Sequence, residues 1–350
     1  MRRGLGEQAP NQSKEEIPVS FSGRLRRARR SRTTDPRPTL SSATRSPARV
    51  GQIALGMIWC IDGLFKLQPF FFSHFVSGVI DPSATGQPAV IGDPITWIGN
   101  LIRPGQSVFV VAAVLGEISI GIALLAGRMV KPMLLFSFVW ALNVWLTGEG
   151  LGFLLAHQTP DPAVGILGTA PMYIVAGLLV WPRDARSDGS EPSFGVFGER
   201  GARFVWAALW LGAAVLWLFP EHTGANAISG TLTGAPSGAG WLTGLHSDTA
   251  RLFRGSGTTA AVVLAVISAE IALSVLFARG TRMALLASIV LSLTFWLFAE
   301  GLGGLFTGQA TDVGTSPLMI LIAALLLPLA TRRSPVTVPA RVQVLPARQS

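Results

Sequence analysis

The sequence is poor in cysteine and histidine, two of the side chains that commonly hold metals. Among its 350 residues there are one cysteine and four histidines. A single cysteine excludes an intramolecular disulfide framework and any cysteine-based metal site. Cys60 lies within an apolar run, so we interpret it as a packing residue. The histidines fall in predicted loops without ligand spacing, so the sequence predicts no metal site and no haem ligands inside a membrane.

Charged residues are also scarce. They make up 13% of the chain against 49% hydrophobic residues, and the mean hydropathy is +0.49. A soluble domain usually carries about 25% charged residues. The apolar residues fall in long runs, as lipid-crossing segments require, and do not alternate as in a half-buried strand. The composition therefore predicts an all-α integral membrane protein.

The net charge of +9 comes largely from the start of the chain. Residues 1–49 are rich in arginine, serine, threonine and proline and show almost no apolar periodicity, which predicts a disordered basic arm. Next to a membrane, such an arm binds anionic lipid headgroups and holds the N-terminus in the cytoplasm. We therefore predict a lipid-binding arm and no nucleic-acid partner.

Eight runs are long and apolar enough for helices that cross the bilayer. Arginines gather in every second connection between these runs, so positive-inside counting puts both termini in the cytoplasm of a bacterial plasma membrane. The predicted spans lie near 50–68, 107–127, 132–149, 167–182, 203–219, 258–278, 282–300 and 315–330.

The two halves of the chain resemble each other. Trp59 aligns with Trp210, "WLTGEGLG" (145–152) with "WLFAEGLG" (296–303), and "GTAP" (168–171) with "GTSP" (314–317). Ordered matches of this kind predict a duplication, and because each half has four spans, both copies point the same way. The predicted organisation is a basic arm at 1–49, a four-helix repeat at 50–182, a cytoplasmic linker at 183–203, a second four-helix repeat at 204–330 and a cytoplasmic tail at 331–350.

Two glutamates lie near the middle of predicted spans. The alignment pairs Glu117 with Glu270, and an acidic residue at a helix centre costs about 2.5–3.5 kcal/mol on insertion scales. Two interpretations stay open. Each glutamate is either a protonatable group that faces the bundle interior, or a neutral or paired carboxyl that locks helix packing.

Asp62 and Lys66 lie four residues apart in the first predicted span, on one helix face. They form either a self-neutralising pair, with Lys66 reaching toward the outer surface, or an Asp62–Lys66–Glu117 cluster beside a ligand. The aligned residues of the second half are Ala213 and Trp217. Asp62, Lys66 and Glu117 are therefore the candidate catalytic residues, and the first half is the predicted working unit.

A Glu-Gly-Leu-Gly turn follows the third span of each half. This turn is either a helix end with a tryptophan anchor, or the wall of an outward-facing pocket built from Trp145, Glu149, Gln158 and Asp161. Asp161 and its counterpart in the second half have a further interpretation as loop caps. The second-half counterparts, which we predict to be structural, are Glu270, Trp296, Glu300 and Asp312.

These motifs resemble the DoxX-like superfamily of small four-span membrane proteins, and most of all its DoxD branch, the membrane subunit of thiosulfate:quinone oxidoreductase. The resemblance rests on "GLFKLQP" (63–69), "GEISIGIALLAG" (116–127), "GEGLGFLL" (148–155) and the stretch 161–173, and it covers both halves. It implies the membrane part of a quinone-linked redox system that works with a redox protein partner. Lys66 and Glu117 match polar positions of a family that supplies no defined catalytic set.

Three functions are compatible with these features. The first is a quinone-linked membrane oxidoreductase component that acts on a small donor, such as a sulfur compound, at the outer face. The sequence shows no bound cofactor, so quinone would be a diffusible acceptor. The alternatives are a proton-coupled small-molecule transporter, which parallel repeats with intramembrane carboxylates suit, and a non-catalytic membrane scaffold for a redox partner.

Overall fold

The computed structural model describes residues 46–156, 159–183 and 194–331, and all regular secondary structure in these ranges is helical. Most of the predicted basic arm, part of the linker and nearly all of the predicted tail lie outside the described residues. The all-α prediction is confirmed for the part of the chain that the structure describes.

The first half begins with the long helix α1. Its N-terminus is fixed by Ser46, whose hydroxyl oxygen accepts a hydrogen bond from the Arg49 amide at 3.2 Å, and by a proline in the first turn. A π-helical segment, Val76–Ile80, follows α2. The α-helices are α1 Pro47–Phe65, α2 Pro69–Phe75, α3 Asp81–Ala84, α4 Ala89–Ile102, α5 Gln106–Ala126, α6 Val130–Thr147 and α7 Ala170–Leu179, with 3₁₀ turns at Arg103–Gly105 and Gly150–Phe153.

The second half also begins with a long helix, α8. Pro220 begins a short helix just after α8, as Pro69 does just after α1. The helices are α8 Gly198–Trp217, α9 Pro220–Thr223, α10 Ala227–Gly234, α11 Gly240–Leu252, α12 Gly257–Leu276, α13 Thr281–Phe298 and α14 Thr315–Leu326, with 3₁₀ turns at Leu302–Gly304 and Leu327–Ala330.

Among the described residues, five helical stretches are long and apolar enough to cross a membrane. Helices α4 and α5 count as one continuous stretch, because only the 3₁₀ turn separates them. The prediction of several apolar helices long enough to span a membrane is confirmed, and the number of eight spans stays a prediction. The other predicted spans correspond to α8, which is less apolar, and to α7 and α14, which are shorter. The five stretches are Pro47–Phe65, Ala89–Ala126, Val130–Thr147, Gly257–Leu276 and Thr281–Phe298.

Helix α1 packs closely against α5 because two glycines face each other. A Cβ on Gly121 would lie 2.7 Å from the Gly56 carbonyl oxygen, and a Cβ on Gly56 would lie 2.9 Å from the Gly121 carbonyl oxygen. Small residues allow such backbone contact between helices in lipid, where apolar packing alone gives little driving force. The pairing of α1 with α5 fixes the relative positions of the polar residues that both helices carry.

Helix α8 packs against α12 in the corresponding way. The Gln52 side-chain amide donates to the Leu124 carbonyl oxygen at 2.8 Å, and the Arg203 guanidinium donates to the Val275 carbonyl oxygen at 2.7 Å. In both contacts the donor and the acceptor residue lie 72 positions apart. Arg203 and Val275 each lie 151 positions after Gln52 and Leu124, so the two contacts define one offset between the halves. The buried residues of α1 and, except for Ala113, those of α5 have buried counterparts at the same offset in α8 and α12, as Trp59 does in Trp210.

Candidate functional site

A partly open cavity lies among α1, the π-helical segment, α5, α6 and α7, with about 730 Å³ of empty space when the solvent at its opening is counted. The loop before α14 in the second half closes it. Its walls carry five aromatic rings, which are Trp59, Phe75, Phe109, Trp140 and Tyr173. The ionisable side chains that line it are Asp62, Lys66, Glu117, Glu149 and Asp312.

A buried ion pair forms one side of this cavity. The Lys66 ammonium lies 2.9 Å from a carboxylate oxygen of Glu117 and also donates to the Thr311 carbonyl oxygen at 2.7 Å. The other carboxylate oxygen of Glu117 accepts from the Trp140 indole N–H at 2.9 Å. Both ionic side chains are almost completely buried. Each charge is therefore paired and hydrogen-bonded, as a charge removed from water requires.

A second buried pair lies beside the first. The Tyr173 hydroxyl donates to one carboxylate oxygen of Asp62, and the Val313 amide donates to the other at 3.1 Å. The ring of Tyr173 packs on Trp59 with a centroid distance of 4.4 Å. The Trp59 indole N–H is buried and has no hydrogen-bond acceptor among the described residues. A residue of the cavity wall thus carries a donor without a partner, next to two hydrogen-bonded pairs.

The π-helical segment forms part of the cavity wall. Residues Val79 and Ile80 line the cavity there. A π turn leaves a helix hydrogen bond unmade, and the Gln106 side chain supplies the substitute: its carbonyl oxygen accepts from the Val76 amide at 3.2 Å, and its amide donates to the Ser73 carbonyl oxygen at 2.6 Å. Single π turns inside α-helices often occur at functional sites, and this one borders the charged cavity.

Glu149 lies two residues beyond the end of α6 and caps the first turn of α7. Its carboxylate accepts hydrogen bonds from the Thr169 and Ala170 amides, at 3.1 and 2.9 Å. Gly168 allows this contact, because it has a φ of +82° and a Cβ there would collide with the carboxylate. Burial raises the pKa of Glu149 to about 8, assisted by the negative charge of Asp312 and opposed by the two amide donors.

Glu300 makes the matching contact after α13. It accepts from the Ser316 amide at 3.0 Å and from the Ser316 hydroxyl at 2.8 Å, and Gly314 provides the space that Gly168 provides in the first half. Burial raises the pKa of Glu300 to about 8, and its bonds to Ser316 oppose that rise. These contacts favour a helix-capping function for the Glu-Gly-Leu-Gly turns.

The chain matches no family model, no curated protein and no solved structure. Its function therefore has to be argued from the site itself.

A smaller cavity of about 460 Å³ occupies the corresponding place in the second half. Trp210 lines it as Trp59 lines the first, but Ala213 and Met319 stand where the first cavity has Asp62 and Tyr173. Gly165 and Ile166, from the loop before α7, close this cavity. Each cavity is thus completed by a loop from the other half, and only the first contains the Lys66–Glu117 ion pair and the Asp62–Tyr173 hydrogen bond.

The prediction that Glu270 is the counterpart of Glu117 is wrong in the structure. Glu270 is exposed. The offset that relates Gln52 to Arg203 relates Glu117 to Ser268, and Ser268 is buried. Two residues rotate a helix position by about 200°, so Glu270 faces the opposite side of α12. The interior-facing interpretation of Glu270 therefore does not hold.

The predicted pocket residues separate into different places. Glu149 lines the charged cavity, while Trp145 is not among the lining residues and donates its indole N–H to the Leu167 carbonyl oxygen at 2.7 Å. Trp296 makes the matching bond to the Val313 carbonyl oxygen at 2.9 Å. Both tryptophans thus tie a loop to the helix before it.

The two loop aspartates also differ. Asp161 lies outside the cavity, where its carboxylate accepts from the Ala163 amide at 2.8 Å and from the Thr231 hydroxyl at 3.1 Å. Asp312, predicted to be only structural, lines the cavity and caps its own loop through the Gly314 amide at 2.8 Å. Gln158 lies outside the described residues.

The sequence-based prediction missed three cavity residues: Trp59, Trp140 and Tyr173. Tyr173 is the single tyrosine of the chain, and its position in an apolar run, where a hydroxyl needs a partner, was an available signal. Trp140 carried no such signal, because indole rings also anchor helices at the lipid interface.

Proposed function

We propose that the chain is the membrane component of a quinone-linked oxidoreductase and that the charged cavity binds the quinone head group. The observation that carries the proposal is the pair of buried contacts, Lys66–Glu117 and Asp62–Tyr173, which face one aromatic-walled cavity. A quinone ring is flat and apolar with two carbonyl oxygens. It needs aromatic walls, hydrogen-bond donors and groups that deliver protons.

The site supplies each of these requirements. The rings of Trp59 and Trp140 provide walls, while the Lys66 ammonium and the free Trp59 indole N–H provide donors for the quinone oxygens. Reduction of a quinone to a quinol takes up two electrons and two protons. The hydrogen-bonded pairs would pass on the protons. The electrons would come from a small reduced donor or a soluble redox partner, and two thiosulfate-like anions release two electrons when they join through an S–S bond.

The wider architecture belongs to the same proposal. We infer eight spans in two parallel four-helix units of the DoxX type, with both termini in the cytoplasm and the basic arm on anionic lipid. Support comes from contacts that recur at matching places in the two halves, such as the Gln52 and Arg203 bonds to helix ends. The paired cavities, each closed by the other half, add to that support.

Quinone binding by the purified full-length chain in lipid nanodiscs tests the proposal directly. Calorimetric titration with a short-chain ubiquinone should give an affinity that falls about tenfold or more in the Lys66→Met/Glu117→Met double variant and in Tyr173→Phe, because each loses a donor or an ordered pair. The matched control is Ser292→Ala in the second cavity. Ala141 lines the first cavity at the corresponding place, so this change removes a hydroxyl without touching the charged cavity. Equal affinity in all four proteins would remove the site assignment.

A membrane assay then tests the redox step. Membranes that contain the chain, supplied with thiosulfate and quinone, should form quinol, and membranes with the double variant at equal abundance should not. If the variants fail to accumulate even with both charges removed, a scaffold function gains support.

A proton-coupled transporter is the second candidate, and one observation favours it. The cavity carries four carboxyl side chains and one ammonium, an excess that suits a small cation. Uptake of a cationic dye into proteoliposomes, driven by a pH gradient and lost in Asp62→Asn, would favour transport over quinone chemistry.

A further inference from the structure

The exposed face of α12 and the residue that follows it carry a regular stripe of five residues. Val263, Val266, Glu270, Leu273 and Phe277 follow one another at spacings of three and four, which keeps them in line on a helix. The four apolar members are between 41% and 65% exposed, and Glu270 is exposed among them. A three-four spacing is the pattern with which one helix packs lengthwise against another.

Glu270 lies well inside the span. Six residues, or about 9 Å of helix at 1.5 Å per residue, separate it from the end of α12 at Leu276. Side chains on a helix tilt toward its N-terminus, so the Glu270 carboxylate points away from that nearer end and further into the lipid region. A glutamate side chain is too short to reach the headgroups from this depth.

No residue that the structure describes donates a side-chain hydrogen bond to the Glu270 carboxylate or forms an ion pair with it. This separates it from Glu117, whose carboxylate has both an ammonium and an indole donor. A carboxyl group that faces lipid without a partner costs about 2.5–3.5 kcal/mol on insertion scales. A cationic partner from outside the chain would remove much of that cost.

A second copy of the chain does not supply such a partner. The exposed cations that the structure describes lie at helix ends or in the connections next to them, not at the depth of Glu270. They are Arg103, Arg128, Lys131, Arg183, Arg200, Arg251, Arg254, Arg279 and Arg282. Two copies that met through this stripe would bring two carboxylates together. Charge complementarity therefore points to a different membrane protein.

We propose that the α12 stripe docks a transmembrane helix of another protein, and that this helix carries a lysine or arginine opposite Glu270. The four apolar side chains pack along the partner helix, while the Glu270 carboxylate pairs with the cation in lipid. The docking surface lies on the outside of the second half, on the opposite side of α12 from its buried face. It does not depend on what the charged cavity binds.

Designed membrane helices test the proposal with defined probes. The full-length chain, labelled with a fluorophore, is placed in zwitterionic bilayers with either of two labelled peptides, an all-leucine helix or the same helix with one central arginine. Energy transfer should show about tenfold tighter association of the arginine peptide, the range of an interhelical polar contact in lipid. Glu270→Leu should reduce the arginine peptide to the level of the all-leucine peptide.

The matched control is Ser119→Leu, since Ser119 is exposed on α5 at the place that corresponds to Glu270 on α12. This variant should keep the preference for the arginine peptide. The proposal is overturned if the chain does not distinguish the two peptides, or if Glu270→Leu keeps the distinction. It is also overturned if the chain alone self-associates through Glu270, because the occupant is then a second copy.

Discussion

Breaking the Lys66–Glu117 pair on one side should cost far more stability than removing it altogether. In Lys66→Met the buried Glu117 carboxylate keeps only the Trp140 indole as a partner. Loss of one member of a buried pair typically costs about 3–5 kcal/mol. The same range applies to Glu117→Met, which leaves the ammonium with the Thr311 carbonyl oxygen alone.

The double variant Lys66→Met/Glu117→Met removes both charges and fills the space with apolar atoms. Replacement of a buried pair in this way is often neutral or stabilising, and the remaining loss is the acceptor of the Trp140 indole, about 1–3 kcal/mol. We therefore expect the double variant to lie within about 2 kcal/mol of the natural chain. The two single costs should exceed the double cost by several kcal/mol, which defines a strong coupling.

Unfolding in mixed micelles, followed by tryptophan fluorescence, measures all four members of this cycle. Ser268→Ala serves as the control, because Ser268 occupies the corresponding place in the second half without a charge partner. Single costs below about 1 kcal/mol, or a double cost equal to their sum, would refute the buried-pair argument. A stable double variant without quinone binding would separate the function of the pair from its contribution to folding.

Two further predictions concern helix packing and pH. Gly121→Leu should destabilise the chain by about 1–3 kcal/mol or more, because a Cβ at this position would lie 2.7 Å from the Gly56 carbonyl oxygen. Gly105→Ala is the control in the same unfolding assay, because no atom lies within 4 Å of a Cβ there. Equal unfolding midpoints for the two variants would contradict the close α1–α5 contact. The second prediction concerns pH and follows from the helix-capping carboxyls Glu149 and Glu300. The folded-state pKa values of Glu149 and Glu300 are about 8, above the value near 4.3 of an unfolded glutamate. The contribution of these two carboxyls to stability is therefore complete below about pH 4.3 and is lost as the pH rises through about 8. The unfolding midpoint should fall between pH 5 and 9, and the Glu149→Gln/Glu300→Gln variant should flatten that dependence; a natural chain with a flat profile would contradict the burial of these carboxyls.

The composition and apolar runs predicted the all-helical membrane fold, because lipid forces backbone groups to pair within a helix. The contact between Lys66 and Glu117 was one of two interpretations that the sequence left open. It followed from their chemistry, because a charged side chain inside a span needs a partner. The phase of α12 could not be read in the same way. The sequences around Glu117 and Glu270 are similar, but α12 buries Ser268 and not Glu270. The packing of α12 against α8 decides which side of α12 faces inward.

The closing loops were equally beyond sequence reasoning. The Thr311 carbonyl oxygen and the Val313 amide contact Lys66 and Asp62 across more than half of the chain. Backbone groups leave no trace in residue identity, so no motif marks them. Only the packing of the two halves brings this loop to the cavity.

The crossed loops also constrain how the chain can change over time. The charged residues of the first cavity are all but one in the first half, yet two of their backbone partners come from the segment 311–313. A first half expressed alone would leave Lys66 and Asp62 each short of one bond. The second half, although its own cavity lacks the matching charges, therefore supplies backbone contacts that the charged pairs of the first half need, so a change that displaces the segment 311–313 also reaches Lys66 and Asp62.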